Sequence, residues 1–267
     1  MTNILTIIFF VFGIIIGSFL NVVIYRYHTK KTLGGRSACM SCQNKLCWYE
    51  LLPLVSFFAL RGRCRSCKTK ISKQYPVVEF ISGVTFATLF LKLQYLFWDD
   101  ALMFSISYFY YALMFSMLLV IAVYDYKHKI IPDALVVVFG ILAFVGLFFF
   151  VDQNFVLHFP SIYEFLAGVA VALPFALIWL FSRGAWMGLG DAKLAVGLGW
   201  ISGISVLVSG VVIAFWAGAI WGLGLILFSR MFGNQYGLKS EIPFAPFLVF
   251  GVWLAFMFGL NVFPMGF

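Results

Sequence analysis

Apolar stretches of about 20 residues or more recur along the whole chain, with short polar segments between them. An α-helix rises about 1.5 Å per residue, so about 20 apolar residues cross a hydrocarbon core of about 30 Å. Short segments of alternating polarity, which a transmembrane β-barrel needs, do not occur. The pattern therefore predicts an all-α polytopic membrane protein.

The polar breaks predict about eight transmembrane helices. The opening apolar stretch is too long for a signal-peptide core and has no basic segment before it, so we expect it to be retained. Residues 192–228 are too long for one span and are expected to turn near 199–203. The predicted helices cover residues 3–25, 77–97, 101–124, 130–151, 162–182, two parts of 192–228, and 247–262.

These boundaries divide the chain into three parts. Residues 1–25 form the first transmembrane helix, residues 26–76 form a polar loop domain, and residues 77–267 form a seven-helix membrane core. With eight spans, the polar loop and the ends of the third and fifth helices fall on the same side of the membrane.

Composition and charge place that side in the cytoplasm. The 267 residues are 63% hydrophobic and 10% charged, with a mean hydropathy of +1.03. Residues 26–76 hold 11 of the 18 Lys and Arg residues and a single acid, Glu50, which gives this loop a net charge of +10. Such loops stay on the cytoplasmic side. Anionic lipid headgroups are the expected counter-charge, and nucleic-acid binding is not expected because no aromatic-interleaved surface accompanies the charge.

Two Cys-x-x-Cys pairs lie in the polar loop, with 21 residues between them. This spacing is typical of a tetrahedral zinc site with four thiolate ligands, here Cys39, Cys42, Cys64 and Cys67. Disulfides are disfavoured in the cytoplasm, and two copies of the pair favour a metal over a redox function. Cys47 is the odd cysteine and is expected to stand outside the site.

Two aspartates end apolar segments of the predicted core. Asp125 follows the third span, and Asp191 lies in the sequence Gly188-Leu-Gly190-Asp191-Ala-Lys193. A charged side chain within a membrane segment costs about 3 kcal/mol or more, so it usually has a function. The glycines allow another backbone to come close to Asp191. We expect the two carboxylates to meet.

Two further acids have ordinary structural explanations. Asp133 follows a proline at a helix start, where the helix dipole favours a negative charge. Glu79 lies near the start of the second span, where a structural and a functional interpretation are both open.

A close pair of carboxylates can share one proton, so that one acts as a base on water while the other polarises a carbonyl group. The residues therefore favour aspartyl hydrolysis of a peptide bond. Acids within membrane spans also serve as proton or cation relays in transporters, which is the competing interpretation.

Several motifs occur together in a fixed order along the chain: residues 17–26 (GSFLNVVIYR), the two cysteine pairs, 60–64 (LRGRC), 75–79 (YPVVE), Asp125 followed by 131–133 (IPD), 188–194 (GLGDAKL) and 242–247 (IPFAPF). In number and order they resemble those of the bacterial type IV prepilin peptidase/N-methyltransferase family, membrane aspartic proteases of the GxGD type.

The resemblance implies cleavage of a short basic leader from prepilins or pseudopilins after a glycine, at the cytoplasmic face of the bacterial inner membrane. It further implies methylation of the new N-terminal residue, with S-adenosylmethionine as methyl donor. On this resemblance Asp125 and Asp191 are the catalytic pair, Gly188, Gly190, Lys193, Asp133 and Glu79 are supporting residues, the four paired cysteines bind Zn²⁺, and Gly62 is associated with methyl transfer.

The chain departs from the family pattern in the first cysteine pair. Many members have prolines where this chain has Ser37, Ala38 and Met40, and Cys47 is not part of the pattern. A peptidase without methyl transfer therefore remains the second hypothesis and an ion-coupled transporter the third.

We expect the basic leader to dock away from the basic loop. The sequence carries no signal for an oligomeric state.

Overall fold

A computed structural model describes residues 2–29, 32, 34–232 and 242–262 of the chain. It contains eight helices in the described residues: α1 Thr2–Arg26, α2 Val55–Ala59, α3 Gln74–Asp99, α4 Ala101–His128, α5 Asp133–Gly146, α6 Ile162–Ser182, α7 Leu189–Phe232 and α8 Ala245–Phe258. A 3₁₀ turn at Trp48–Leu51 precedes α2, and the strands β1 Phe150–Val151 and β2 Asn154–Phe155 form a small antiparallel hairpin.

The predicted class is confirmed at the level of a mostly helical protein with several membrane spans. Among the described residues, α1, α3, α4, α6 and α7 are long and apolar enough to cross a membrane, and α5 and α8 are shorter apolar helices. The number of eight spans stays a prediction. The chain divides into two compact units, Met1–Leu91 and Lys92–Phe267.

Two predicted boundaries need correction. The third span does not end at Tyr124, because α4 continues to His128 and Lys129 caps it by donating its N–H to the Asp125 carbonyl oxygen. The fourth span ends at Gly146 instead of Val151, because the next residues enter the hairpin.

The long apolar stretch near the C-terminus is predicted to form two helices that meet near residues 199–203. The structure confirms this division, because α7 (Leu189–Phe232) consists of two helical segments that meet at a kink at the non-helical residue Gly203. The φ of 74° and ψ of 165° at Gly203 are accessible to glycine at little cost, so the helix direction changes there without a loop.

In the first unit, α1 packs closely against the beginning of α3. A Cβ atom on Gly17 would lie 2.8 Å from the Glu79 Cα, and the Ser82 hydroxyl donates to the Gly13 carbonyl oxygen at 2.7 Å. The Asn21 side-chain amide donates to the Tyr75 carbonyl oxygen at 3.2 Å. Gly13 and Gly17 therefore allow close packing of α1 on α3, and Asn21 donates a hydrogen bond between the two helices.

In the second unit, α7 packs against α5, α6 and α8. Glycines bring the backbones together: Gly199 lies against Gly168 of α6, Gly210 lies against Val252 of α8, and a Cβ on Gly197 would lie 2.6 Å from the Phe139 ring of α5. This packing fixes the first turn of α7, where Asp191 lies, relative to its neighbours.

Replacing Gly17 with alanine should destabilise the protein by about 1–3 kcal/mol, because the new methyl group overlaps the α3 backbone. The matched control is Gly140→Ala, at a helical glycine whose Cβ would meet nothing within 4 Å. There the helix-propensity gain of up to about 1 kcal/mol should leave stability equal or higher. The midpoint of denaturation by sodium dodecyl sulfate, followed by circular dichroism, measures both. Equal midpoints for the two variants would contradict close α1–α3 packing.

Candidate membrane-embedded carboxylate pair and four-cysteine centre

Asp125 and Asp191 come from different helices and are both buried, with 5% and 6% of their surfaces exposed. Asp125 lies in the last turn of α4 and Asp191 in the first turn of α7. The Asp125 charge acts electrostatically on Asp191, so the two carboxylates are near one another. The structure thus brings together the two acids that the sequence singled out.

Backbone groups at helix ends accompany both aspartates. The Ala245 N–H, at the first residue of α8, donates to Asp125 Oδ2 at 3.3 Å. The Asp191 backbone N–H donates to the Gly188 carbonyl oxygen at 3.3 Å. Asp191 Oδ1 is buried and has no hydrogen-bond partner among the described residues. A buried carboxylate oxygen without a partner is uncommon and leaves an acceptor open.

The two glycines of the Asp191 motif, Gly188 and Gly190, have different structural roles. A Cβ on Gly190 would lie 2.8 Å from the Ile131 Cβ, so glycine is required for the approach of the segment that precedes α5. A Cβ on Gly188 would meet nothing closer than 3.8 Å. Gly190 therefore sets the distance to Ile131, whereas Gly188 contributes its carbonyl oxygen, which accepts the Asp191 N–H.

The supporting residues form two separate groups. Lys193 and Asp133 form an ion pair at 2.8 Å, with side chains 43% and 71% exposed, which contributes at most about 1 kcal/mol. Glu79 belongs to the other unit, where it is buried and accepts the Leu54 backbone N–H at 2.8 Å. Its observed contact is thus structural, since it holds the loop against α3.

The four paired cysteines lie together, with ligand atoms within 4.8 Å of one another. The Cys39 and Cys67 sulfurs are 3.8 Å apart, which matches the separation of about 3.8 Å given by tetrahedral Zn–S bonds of about 2.3 Å. Cys47 lies outside the cluster, as predicted. All five thiols are free, so no disulfide competes with metal binding.

Both cysteine pairs have the same backbone geometry. Gln43 and Lys68, each the fourth residue after the first cysteine of its pair, have a φ near +57° and donate their N–H to that cysteine's carbonyl oxygen. The bridges Ala38–Lys45 and Arg63–Lys70 close the two turns. Two equivalent turns that face each other form the four-thiolate arrangement of a structural zinc site.

The thiols and their neighbours also shift the pKa values of the individual cysteines. Hydrogen bonds from the Thr69 hydroxyl and N–H lower the pKa of the Cys67 thiol to about 6. The pKa of the Cys42 thiol rises to about 11 in spite of the Asn44 N–H, because desolvation and the neighbouring thiols oppose its ionisation. Four clustered thiolates are therefore compatible only with a bound cation, and the donor set fits Zn²⁺.

Sequence reasoning missed two participants of the carboxylate site, the Ala245 N–H and the Ile131 side chain. Both belong to motifs of the resemblance, but a backbone donor and a packing contact leave no signature of residue type. Gly62 lies beside the second cysteine pair with a φ of +64°, and its Cβ would lie 3.0 Å from the Phe57 ring.

The geometry defines a helical membrane protein with a buried carboxylate pair and a separate four-cysteine metal centre. Comparison with known proteins gives the family. Residues 11–93 match the bacterial peptidase A24 N-terminal domain, and residues 112–223 match the type IV leader peptidase family. No solved structure matches the chain.

Three curated relatives, each named prepilin leader peptidase/N-methyltransferase, align along most of their length. The Bacillus subtilis protein is 29% identical, with 96% of this chain and 95% of the relative covered. The Pseudomonas aeruginosa protein is 30% identical with 92% and 88% covered, and the Vibrio cholerae protein 34% identical with 74% and 78% covered. The chain belongs to the type IV leader peptidase family, which confirms the resemblance recognised in the sequence.

Wild-type protein should carry about one zinc ion per chain, and Cys42→Ser or Cys67→Ser should abolish this content, because a structural zinc site needs four ligands. Cys47→Ser is the matched control and should keep its zinc. Elemental analysis of purified protein measures the ratio. Zinc should be lost as the pH falls, because protons compete for the thiolates. Loss of zinc in Cys47→Ser, or its retention in both other variants, would contradict the assignment.

Proposed function

We propose that the chain is a membrane aspartyl endopeptidase that removes the leader from type IV prepilins or pseudopilins and then methylates the new N-terminus. The observation that carries the peptidase assignment is the buried pair of carboxylates, Asp125 and Asp191, delivered by two different helices. The names of the curated relatives support prepilins as the substrate class and methyl transfer as the second activity.

In the proposed reaction the carboxylate pair holds one proton. The ionised carboxylate takes a proton from water as the water oxygen attacks the scissile carbonyl carbon. The protonated carboxyl donates to the carbonyl oxygen. The C–N bond then breaks as the first carboxyl gives its new proton to the leaving amine, and the second carboxylate takes a proton back from a hydroxyl of the gem-diol as the product carboxyl group forms, which restores the pair to its starting state.

The surrounding residues hold this pair in place. The Ala245 N–H holds Asp125, and the contact between Gly190 and Ile131 sets the first turn of α7, which carries Asp191. We assign Lys193 and Asp133 a supporting role, since their ion pair ties α7 to the start of α5.

The cysteine loop is the part of the chain that we propose to serve the second activity, methyl transfer. Cys39, Cys42, Cys64 and Cys67 would hold Zn²⁺, which would fix the fold of a loop that has little core of its own. Residues 26–76, with Gly62, are proposed as the methyltransferase-associated domain, and the loop and the carboxylate pair are proposed to face the cytoplasm from the inner membrane.

S-adenosylmethionine would supply the methyl group. The cavity beside the second cysteine pair is lined by Arg61, Arg63, Arg65 and Lys68 and by no acid, so it offers no counter-charge to the sulfonium cation of this cofactor. A peptidase without methyl transfer is the second candidate function.

Asp125→Asn and Asp191→Asn should each lower leader cleavage by at least roughly 10²-fold, because each removes one acid–base group of the pair. Asp152→Asn, at an exposed acid of the hairpin, is the control and should cleave normally. Purified protein is mixed with a prepilin and S-adenosylmethionine, and the product is weighed by mass spectrometry. Cleaved and methylated product supports both activities, whereas cleaved product without the methyl group leaves the peptidase alone. Intact substrate with folded wild-type protein would favour the transporter hypothesis.

Gly190→Ala should lower kcat/KM for cleavage by up to roughly 10²-fold, because its methyl group displaces Asp191 or Ile131 and catalytic geometry is sensitive to shifts of about 1 Å. The double variant Gly190→Ala/Ile131→Gly should recover activity, since it removes the Ile131 Cβ that the new methyl group would meet at 2.8 Å. Gly188→Ala should be milder than Gly190→Ala because its Cβ has room. A double variant no better than Gly190→Ala would reject the contact as the cause.

A further inference from the structure

A basic cavity of about 600 Å³ opens on the cysteine loop. Its cationic side chains are Arg61, Arg63, Arg65 and Lys68, and no Asp or Glu lines it. Among the described residues none of the four forms a salt bridge. Arg65 is fixed over the Tyr49 ring, 5.6 Å from its centroid, and donates to the Tyr49 hydroxyl. Four cationic side chains around one cavity form a site for an anion such as a phosphate group.

Large apolar side chains lie exposed next to this basic cavity. In residues 48–59, here called the interfacial segment, Trp48, Val55 and Phe58 are 76%, 62% and 71% exposed. The segment is joined to the cavity at two places: Tyr49 contacts Arg65, and the Gly62 N–H donates to the Phe57 carbonyl oxygen at 2.8 Å. Apolar side chains clustered beside cations are typical of a surface that lies on a membrane.

The interfacial segment is also tied to a membrane-spanning helix. Glu79 of α3 accepts the N–H of Leu54, the residue just before α2. Glu79 lies five residues after the start of α3 at Gln74, which corresponds to about 7.5 Å along the helix axis. The polar interface of a bilayer is about 5–8 Å thick on each side. The contact therefore holds the segment at the depth of the headgroup layer when α3 spans the membrane.

We propose that residues 48–68 form a lipid-binding surface, in which the apolar side chains of the interfacial segment enter the headgroup layer and the basic cavity holds the phosphate of an anionic phospholipid. The membrane is chosen over a soluble partner because the loop leaves α1 and enters α3, which are both membrane spans. A lipid is chosen over free phosphate because the apolar segment adjoins the cations. The inference needs the membrane spans but not the proposed peptidase activity.

The cavity is tested with the variant Arg61→Gln/Arg63→Gln/Lys68→Gln. The matched control, Lys45→Gln/Lys70→Gln/Lys73→Gln, removes the same charge from the same loop outside the cavity. Native mass spectrometry of the full chain in detergent counts bound phosphatidylglycerol and phosphatidylcholine of equal chain length. Wild type and control should retain phosphatidylglycerol at least roughly tenfold better than phosphatidylcholine, since each basic residue near a headgroup adds about 1 kcal/mol of attraction. The cavity variant should lose this preference while keeping its zinc.

Equal lipid retention by the cavity variant and the control would overturn the proposal. Displacement of the lipid by millimolar inorganic phosphate would also overturn it, because the cavity would then be a site for the free anion.

The apolar side chains are tested by fluorescence in nanodiscs that contain phosphatidylglycerol and a phospholipid with a nitroxide on its headgroup. The nitroxide quenches tryptophan at short range, and the difference between wild type and Trp48→Phe isolates the emission of Trp48. Quenching of this emission is the expected result. Unquenched Trp48 in a monomeric particle would overturn the membrane contact, and unquenched Trp48 in a dimeric particle would assign the surface to a second copy of the chain.

Discussion

The carboxylate site depends on close backbone packing around α7. Asp191 lies in the first turn of this helix, so its position follows from the contacts that α7 makes further along. Gly199 against Gly168 and Gly210 against Val252 leave no room for a Cβ, and α7 is thereby fixed against α6 and α8. Within lipid the hydrophobic effect does not drive helices together, so such small-residue contacts supply much of the association. α8 in turn carries the Ala245 N–H to Asp125. One packing arrangement thus positions both acids.

Helix ends also lower the free-energy cost of placing a carboxylate in the membrane. A carboxylate without polar partners in hydrocarbon costs several kcal/mol, about 3 on insertion scales. In this chain Asp125 accepts the Ala245 N–H at the N-terminus of α8, and Asp191 lies in the first turn of α7. The N–H groups at a helix N-terminus carry a partial positive charge and have no partner within their own helix. Because a backbone N–H serves as the hydrogen-bond donor to Asp125, oxygen atoms of the pair remain available to water and substrate. A lysine or arginine partner would instead have engaged a carboxylate in an ion pair.

Much of the fold was predictable because its signals are local. An apolar stretch such as Ile162–Ser182 is bounded by its own polar ends, and its predicted and observed limits coincide. The four cysteines were predictable because the spacing within each pair already fixes the turn. The limits of α4 and α5 were missed because hydropathy does not record where a capping residue or a hairpin ends a helix. The Ala245 donor, the contact of Ile131 with Gly190 and the bond from Leu54 to Glu79 were missed because they join backbone or packing atoms distant in sequence.

The cysteine loop is organised by different forces from those that hold the helices together. Among its described residues from 34 to 73, Cys64 is the only buried apolar side chain, so hydrophobic burial contributes little to its fold. Two constraints take its place: a metal would join the two cysteine turns, and Glu79 holds Leu54 against α3. The second constraint explains why an acid lies in this span, since a buried carboxylate that accepts a backbone N–H can hold Leu54 in a left-handed conformation, with a φ of +58°, that a non-glycine residue seldom adopts. The loop is thus fixed at one point by its metal ligands and at another by the membrane helix, and its apolar side chains are left facing outward between the two.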